Sequence, residues 1–276
     1  MLPSFSWLLL LLLPLACGPR VLFRGEEPGL GTVYVVREGQ RRVLRFGHPD
    51  AEDQSVYDPS RPDHEPLGYV RSALMALAHA QGGQRLLMIG LGGGSYLRHV
   101  RLLAPKMALE AVEVSPLVVQ LCRRYFALPR GVEIHVEDGR RFVRRTRRHY
   151  DVVFVDAYDA VDYPSHLGTR EFFGEVRRIL APGGVVAANL SPNTDEMEAR
   201  LVYTFRAVFP RAGCFSTAAG NSVLIGWTGV QPGQSEVRAR LRRLEVQSRG
   251  RYSLMRAADR PCKLTPDGAR LLVDPR

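Results

Sequence analysis

From residue 85 onward the apolar positions alternate between two patterns. Short, nearly continuous apolar runs at 85–89, 108–114, 132–136, 151–156, 184–189, 213–217 and 222–227 read as strands. Between them, 95–103, 116–126, 139–145, 169–180 and 195–208 carry the spacing of amphipathic helices. Val152-Val153-Phe154-Val155 is apolar at every position, which predicts burial on both faces and hence a parallel sheet. Ser115-Pro116 marks a helix start, and Ala181-Pro182-Gly183-Gly184 marks a helix stop and turn. The last two runs are joined by a short connection, which predicts an antiparallel final pair.

This alternation predicts an α/β fold: a Rossmann-like, doubly wound, seven-stranded, mostly parallel sheet with helices on both faces. Upstream the pattern differs. Thr32 to Val36 and Val43 to Phe46 read as strands around a turn at Glu38-Gly39, giving a small β-hairpin region over about 30–60. Pro19 to Gly31 reads as a linker, and Leu67 to Ala80 as a helix. The expected organisation is therefore a leader at 1–17, a small β-rich domain at 30–66, the α/β domain at 67–230, and a basic helix with an irregular tail at 231–276.

The leader is an apolar run, Phe5 to Ala16, with six consecutive leucines. It is shorter than the roughly 20 residues a membrane span needs, but it fits the core of a signal peptide. Leu15-Ala16-Cys17 resembles a lipoprotein cleavage site. Against this, Pro14 stands where an aliphatic residue is usual, and the first basic residues, Arg20 and Arg24, follow the run rather than precede it. Two expectations stay open: export with attachment to a bacterial cell envelope, or a cytoplasmic chain.

Composition narrows the classes further. At 276 residues with 45% hydrophobic and 24% charged positions, the chain has ordinary globular composition and is not wholly disordered. Four scattered cysteines, with no CxxC pair, exclude a disulfide scaffold or zinc ribbon as a reading of spacing. Net charge is +10, and 36 of the 38 basic residues are arginine, since only Lys106 and Lys263 are lysine. No nucleic-acid-binding motif accompanies them, so no specific nucleic-acid partner is expected.

The candidate chemistry sits at the ends of the first four α/β strands. Gly90-Leu91-Gly92-Gly93-Gly94-Ser95 follows a strand and opens a helix, where glycine permits a tight turn and close approach to a ligand. Glu113 ends the next strand, placed to take both ribose hydroxyls of a nucleoside. Asp138, followed by Gly139, closes the third strand, where an acid can accept from the exocyclic amine of adenine. A helix N-cap is the structural alternative for both acids. Asp156 ends the fourth strand and Asp159 follows three residues later, with Tyr158, Asp162, Tyr163 and His166 in the same loop.

Taken in order, Ile89-Gly90-Leu91-Gly92-Gly93-Gly94-Ser95, Val112-Glu113-Val114-Ser115-Pro116, Glu137-Asp138-Gly139-Arg140, Asp156-Ala157-Tyr158-Asp159 and Leu180-Ala181-Pro182-Gly183-Gly184 resemble the spermidine synthase (polyamine aminopropyltransferase) family, in its spermidine-synthase-like bacterial branch. The resemblance covers about residues 30–228. It implies a methyltransferase-type domain behind a β-rich N-terminal domain, often a homodimer. It implies S-adenosylmethionine or, more usually, its decarboxylated form as co-substrate, with no metal, and a polyamine or other amine as acceptor. It carries over Glu113 as ribose ligand, Asp138 as adenine-site ligand, Asp156 as the acid that activates the attacking amine, Asp159 as a polyamine contact and Tyr69 as an acceptor-site tyrosine.

The match has two departures. Ser95 stands where the family has an aspartate for the donor's free amine, and Tyr69-Val70-Arg71 replaces an acceptor motif that ends in an acid. Ser95 and Arg71 would both suit a donor that keeps its carboxylate. Methyl transfer from S-adenosylmethionine therefore stays open beside aminopropyl transfer. So does a catalytically silent binding protein, which the export-like leader favours.

Overall fold

The computed structural model describes residues 19–64, 67–158, 163–190, 194–216, 222–248, 254 and 269–275. Two sheets organise it. The N-terminal sheet is an antiparallel meander of β1 (Arg20–Glu27), β2 (Gly31–Glu38), β3 (Arg41–Phe46) and β4 (Ser55–Tyr57). It is larger than the expected hairpin, because β1 occupies most of the stretch read as a linker. Its residues alternate in burial from Phe23 through Arg24, Gly25 and Glu26 to Glu27, and it pairs with β2 around a turn at Pro28-Gly29-Leu30.

Next come α1 (Gly68–Leu74) and α2 (Ala76–His79), which divide the single helix expected there. The α/β layer then runs β5 (Arg85–Ile89), α3 (Ser95–Leu103), β6 (Ala108–Glu113), α4 (Pro116–Tyr125), β7 (Val132–Val136), α5 (Gly139–Arg145), β8 (Tyr150–Val155), α6 (Arg170–Arg178), β9 (Leu180–Leu190), α7 (Asp195–Val208), β10 (Ala212–Ser216) and β11 (Ser222–Trp227). A last helix, α8 (Gln234–Gln247), follows. The sheet order is β10-β11-β9-β8-β5-β6-β7. Strands β5 to β9 pair in parallel, and β11 is antiparallel to both β9 and β10. The seven-stranded, doubly wound α/β fold is thus observed. The turn expected at Ala181-Pro182-Gly183-Gly184 is absorbed into the start of β9, where the pairing with β8 shifts register.

Each face of this sheet buries its own core. Val152 and Phe154 face one side, with Tyr96, Leu97 and Met75 packed on them. Val153 and Val155 face the other, against Phe172, Phe173, Phe205 and Phe209. This explains why the strand is apolar at every position. Cys122 is buried and free, and burial pushes its thiol up to about 12, so it is a packing residue rather than a nucleophile. Cys214 on β10 is disulfide-bonded. Among the described residues no helix is long and apolar enough to cross a membrane. The leader and Cys17 lie outside the described residues.

Candidate active site

The turn after β5 is built from backbone conformations that only glycine adopts readily. Gly90, Gly92 and Gly94 have φ of +85°, +49° and +64°. A Cβ on Gly90 would also collide with the carbonyl oxygen of Asp156, so this glycine lets β5 and the end of β8 close on each other. The loop is held from outside the α/β layer as well. The Gly93 N–H donates to Ser55 Oγ at 2.8 Å, which ties β4 of the N-terminal sheet to the glycine turn. Behind it, the buried Arg98 donates to the carbonyls of Gly93 (2.5 Å) and Phe126 (2.8 Å) and to Ser95 Oγ (3.1 Å).

The two sheets enclose a cavity of about 760 Å³ at the C-terminal ends of β5, β6 and β8, the position where open α/β sheets bind ligands. Of the residues expected at the site, Gly90, Gly92, Ser95, Glu113, Asp138, Gly139, Asp156, Tyr69 and Tyr158 all line it. Gly93 and Gly94 stand behind its wall. Asp159 lies outside the described residues, as does Asp162. Arg71 is exposed on α1 and is not part of the lining, so the expected fit of its side chain to a donor carboxylate has no basis in the geometry.

Glu113 is buried, and its two carboxylate oxygens accept from the N–H groups of Leu91 (2.8 Å) and Ser115 (3.0 Å). Burial pushes its carboxyl above the usual carboxylate range, against backbone hydrogen bonds from Ser115, Leu91, Gly92 and Val114 that pull it down. The carboxylate thus gathers backbone N–H groups from both the glycine turn and the start of α4, and it lines the cavity where a nucleoside ribose would lie. Asp138 caps α5, with Oδ1 accepting from the Arg141 N–H at 2.8 Å, and its Oδ2 lies 2.8 Å from His166 Nε2. Partial burial raises its carboxyl, but the Arg141 amide and His166 outweigh this and hold it below the usual range. The N-cap alternative is therefore present, and the same carboxylate also faces the cavity.

At the far end Asp156 is half-buried, and its Oδ1 accepts from Asn189 Nδ2 at 2.9 Å. Tyr158 donates to the Asn189 carbonyl at 2.9 Å and packs edge-on against Tyr163. Asn189 was not singled out from sequence. The available signal was its place at the C-terminal end of a parallel strand next to β8. Ser55 and Arg98 carried no sequence signal, because both act across the interface between the two sheets.

The lining contains five carboxylates (Glu52, Asp53, Glu113, Asp138 and Asp156) and one histidine, His166. Among the described lining residues none is arginine or lysine, in a chain whose net charge is +10. Asp53 is already bound by Arg45, at 2.7 and 3.0 Å. Elsewhere, Glu110, Glu133 and His135 bring three metal-type ligands together, but Arg85, Arg148 and Tyr150 occupy those carboxylates, which makes an ion-pair network rather than a cation cage.

Comparison with known proteins gives the following. The family described as "Spermine/spermidine synthase domain" matches residues 71–208, half of the chain. A polyamine aminopropyltransferase of Vibrio vulnificus is 30% identical over 208 residues, covering 73% of this chain and 66% of the relative. This chain thus spans somewhat under two thirds of that relative's length, and other curated relatives are covered less fully. A probable spermidine synthase from Corynebacterium glutamicum superposes with a TM-score of 0.66 at 20% identity, over 82% of this chain and 85% of that one. Human methyltransferase-like protein 13, in complex with SAH, superposes with a TM-score of 0.60 at 22% identity, over 66% of this chain and 93% of that one. At these identities the two structures speak for the fold alone.

Proposed function

This chain belongs to the spermine/spermidine synthase family, and we propose that it transfers an aminopropyl group from decarboxylated S-adenosylmethionine to an amine of a polyamine. The observation that carries this reading is the charge of the cavity: five carboxylates and, among its described lining residues, no arginine or lysine. The donor brings a sulfonium and an ammonium, and the acceptor brings ammonium groups. An acid-lined, partly enclosed site favours such ligands.

The reaction needs little beyond placement. An amine nitrogen attacks the carbon next to the sulfonium in line, the C–S bond breaks, and methylthioadenosine leaves as a neutral thioether. The acceptor amine, with a pKa of about 10, arrives protonated. Asp156 holds that ammonium at the cavity end and takes up its proton, while Asn189 fixes the carboxylate through Oδ1. Glu113 anchors the ribose and Asp138 the adenine edge. Tyr158 and Tyr69 supply flat walls for the methylene chain of the acceptor. Asp159, next in sequence, is proposed to hold the distal ammonium.

A second reading, methyl transfer from intact S-adenosylmethionine, rests on one contact. Ser95 replaces an acid, and its Oγ is hydrogen-bonded to the Arg98 guanidinium at 3.1 Å, which would favour a donor carboxylate there. Calorimetric titration with both donors, followed by product analysis with putrescine and spermidine, separates the two. The proposed reading requires tighter binding of the decarboxylated donor and a polyamine product. It also requires that Asp156→Asn lowers kcat by about 10²- to 10⁴-fold with donor affinity retained. Preference for the intact donor and labelled methyl transfer would overturn it. Fractionation of the full chain is a further test: aminopropyl transfer requires the chain on the cytoplasmic side, where an adenosyl donor is expected, and export by the leader would favour a catalytically silent binding protein instead.

A further inference from the structure

The segment 269–275 lies beyond the family match, yet it is tied into the wall of the nucleoside pocket. Its backbone crosses α6 and α7: the Arg170 N–H donates to the Leu272 carbonyl at 2.8 Å, and the Leu272 N–H donates to Thr204 Oγ1 at 2.9 Å. The Asp274 N–H donates to Glu171 Oε2 at 3.0 Å. The Asp274 carboxylate then takes two hydrogen bonds from one guanidinium, that of Arg140, at 2.7 and 2.6 Å. This is the paired fork geometry that fixes direction as well as charge.

Arg140 is buried and is the second residue of α5, directly after Asp138 and Gly139. Its guanidinium also holds Glu175 at 3.0 and 3.1 Å, and it donates to the His166 carbonyl at 3.1 Å. The His166 ring in turn meets Asp138 Oδ2 at 2.8 Å, and both His166 and Asp138 line the cavity. A continuous set of direct contacts therefore runs from the C-terminal segment through Arg140 and His166 to the acid proposed to read adenine.

We propose that Asp274 is a positioning residue for donor recognition: by completing the neutralisation of Arg140 it fixes His166 and Asp138 in the geometry that binds the adenine amine. Arg140 and Arg144 share two carboxylates, Glu175 and Asp274, and Arg144 lies 3.0 Å from the first and 3.7 Å from the second, so Asp274 supplies the second negative charge, which α6 alone does not. This rests on the adenosyl-donor reading above, and on Asp138 facing the base.

The test uses the full chain and two neutral nucleosides, methylthioadenosine and methylthioinosine, which carries an oxygen in place of the exocyclic amine. Asp274→Asn is expected to weaken methylthioadenosine binding about tenfold and methylthioinosine binding less than about twofold. Asp274→Glu is expected to restore most of the loss, and KM for the donor should rise with kcat nearly unchanged. A role in stability alone would lower the melting temperature and weaken both nucleosides alike, and that result overturns the proposal. Equal binding of methylthioadenosine by Asp274→Asn and the natural chain overturns it too, with the function reading intact. Failure of the natural chain to bind either nucleoside overturns both.

Discussion

Asp156 and Asn189 form the most informative pair at the scale of single residues. Asn189 donates to one carboxylate oxygen and offers no charge of its own. Replacing it with aspartate sets two carboxylates within hydrogen-bond reach, and one of them must then hold its proton to higher pH. Asn189→Asp is therefore expected to shift the acid limb of the pH–kcat profile upward by about one unit, whereas Asn189→Ala lowers kcat about tenfold without that shift. Glu113 gives a second residue-scale expectation. Its folded-state pKa is raised, chiefly by burial, so the folded chain binds an extra proton between the ordinary value and the raised one. Its contribution to stability is full below the ordinary glutamate pKa of about 4.3 and is lost as pH rises through the raised value. Ribose binding runs the other way, because a proton on the carboxyl consumes an acceptor position. Affinity for neutral methylthioadenosine, followed by calorimetry from pH 8 downward, should weaken as pH falls through that value. Glu113 and Asp156 were legible as strand-end acids. The partner of Asp156 was not, because a hydrogen bond between residues 33 positions apart leaves no local mark.

Among the elements, what could be read followed from burial. The strand β8 is apolar at each inner position because both sheet faces are covered, so it and its neighbours were visible in the pattern. Strand β1 was missed because Arg20, Arg24, Glu26 and Glu27 break its apolar alternation and Gly25 mimics a linker; it is an edge strand with little of its surface buried. Strand β4 has three residues, too few for any period. The glycine turn makes a prediction at this scale. Gly39, in the turn between β2 and β3, has φ +59° and nothing within 4 Å of where a Cβ would stand, so Gly39→Ala costs about 1 kcal/mol. Gly90 combines φ +85° with a backbone carbonyl in the path of the side chain. Gly90→Ala should cost more than about 3 kcal/mol by chemical denaturation and abolish nucleoside binding. Equal costs at the two positions would mean that the turn and the end of β8 are not in register as described.

The whole molecule separates charge in a way that neither sheet does alone. A chain of net charge +10 closes two sheets around an acid-lined cavity, and the N-terminal sheet contributes Glu52 and Asp53 to that lining. This could not be read from sequence, since it depends on Ser55 docking β4 onto the glycine turn and on the Arg42 guanidinium donating to the Tyr125 carbonyl at 2.9 Å. The net charge by itself named no partner; the cavity points to cationic ones. Glu52 is exposed at the rim and touches none of the groups assigned to the chemistry, so it isolates the field from the reaction. Glu52→Lys changes the rim by two unit charges. At about 10 Å in water each unit pair is worth about 0.4 kcal/mol, so a divalent diamine loses about 1.7 kcal/mol before screening. With a Debye length near 10 Å at 0.1 M salt, roughly a third of that remains. The expected result is a two- to threefold rise in KM for putrescine at about 0.1 M salt, growing to about tenfold at about 0.01 M and vanishing near 1 M, with kcat unchanged. A KM indifferent to both the substitution and the salt would mean that the acceptor does not enter past the N-terminal sheet.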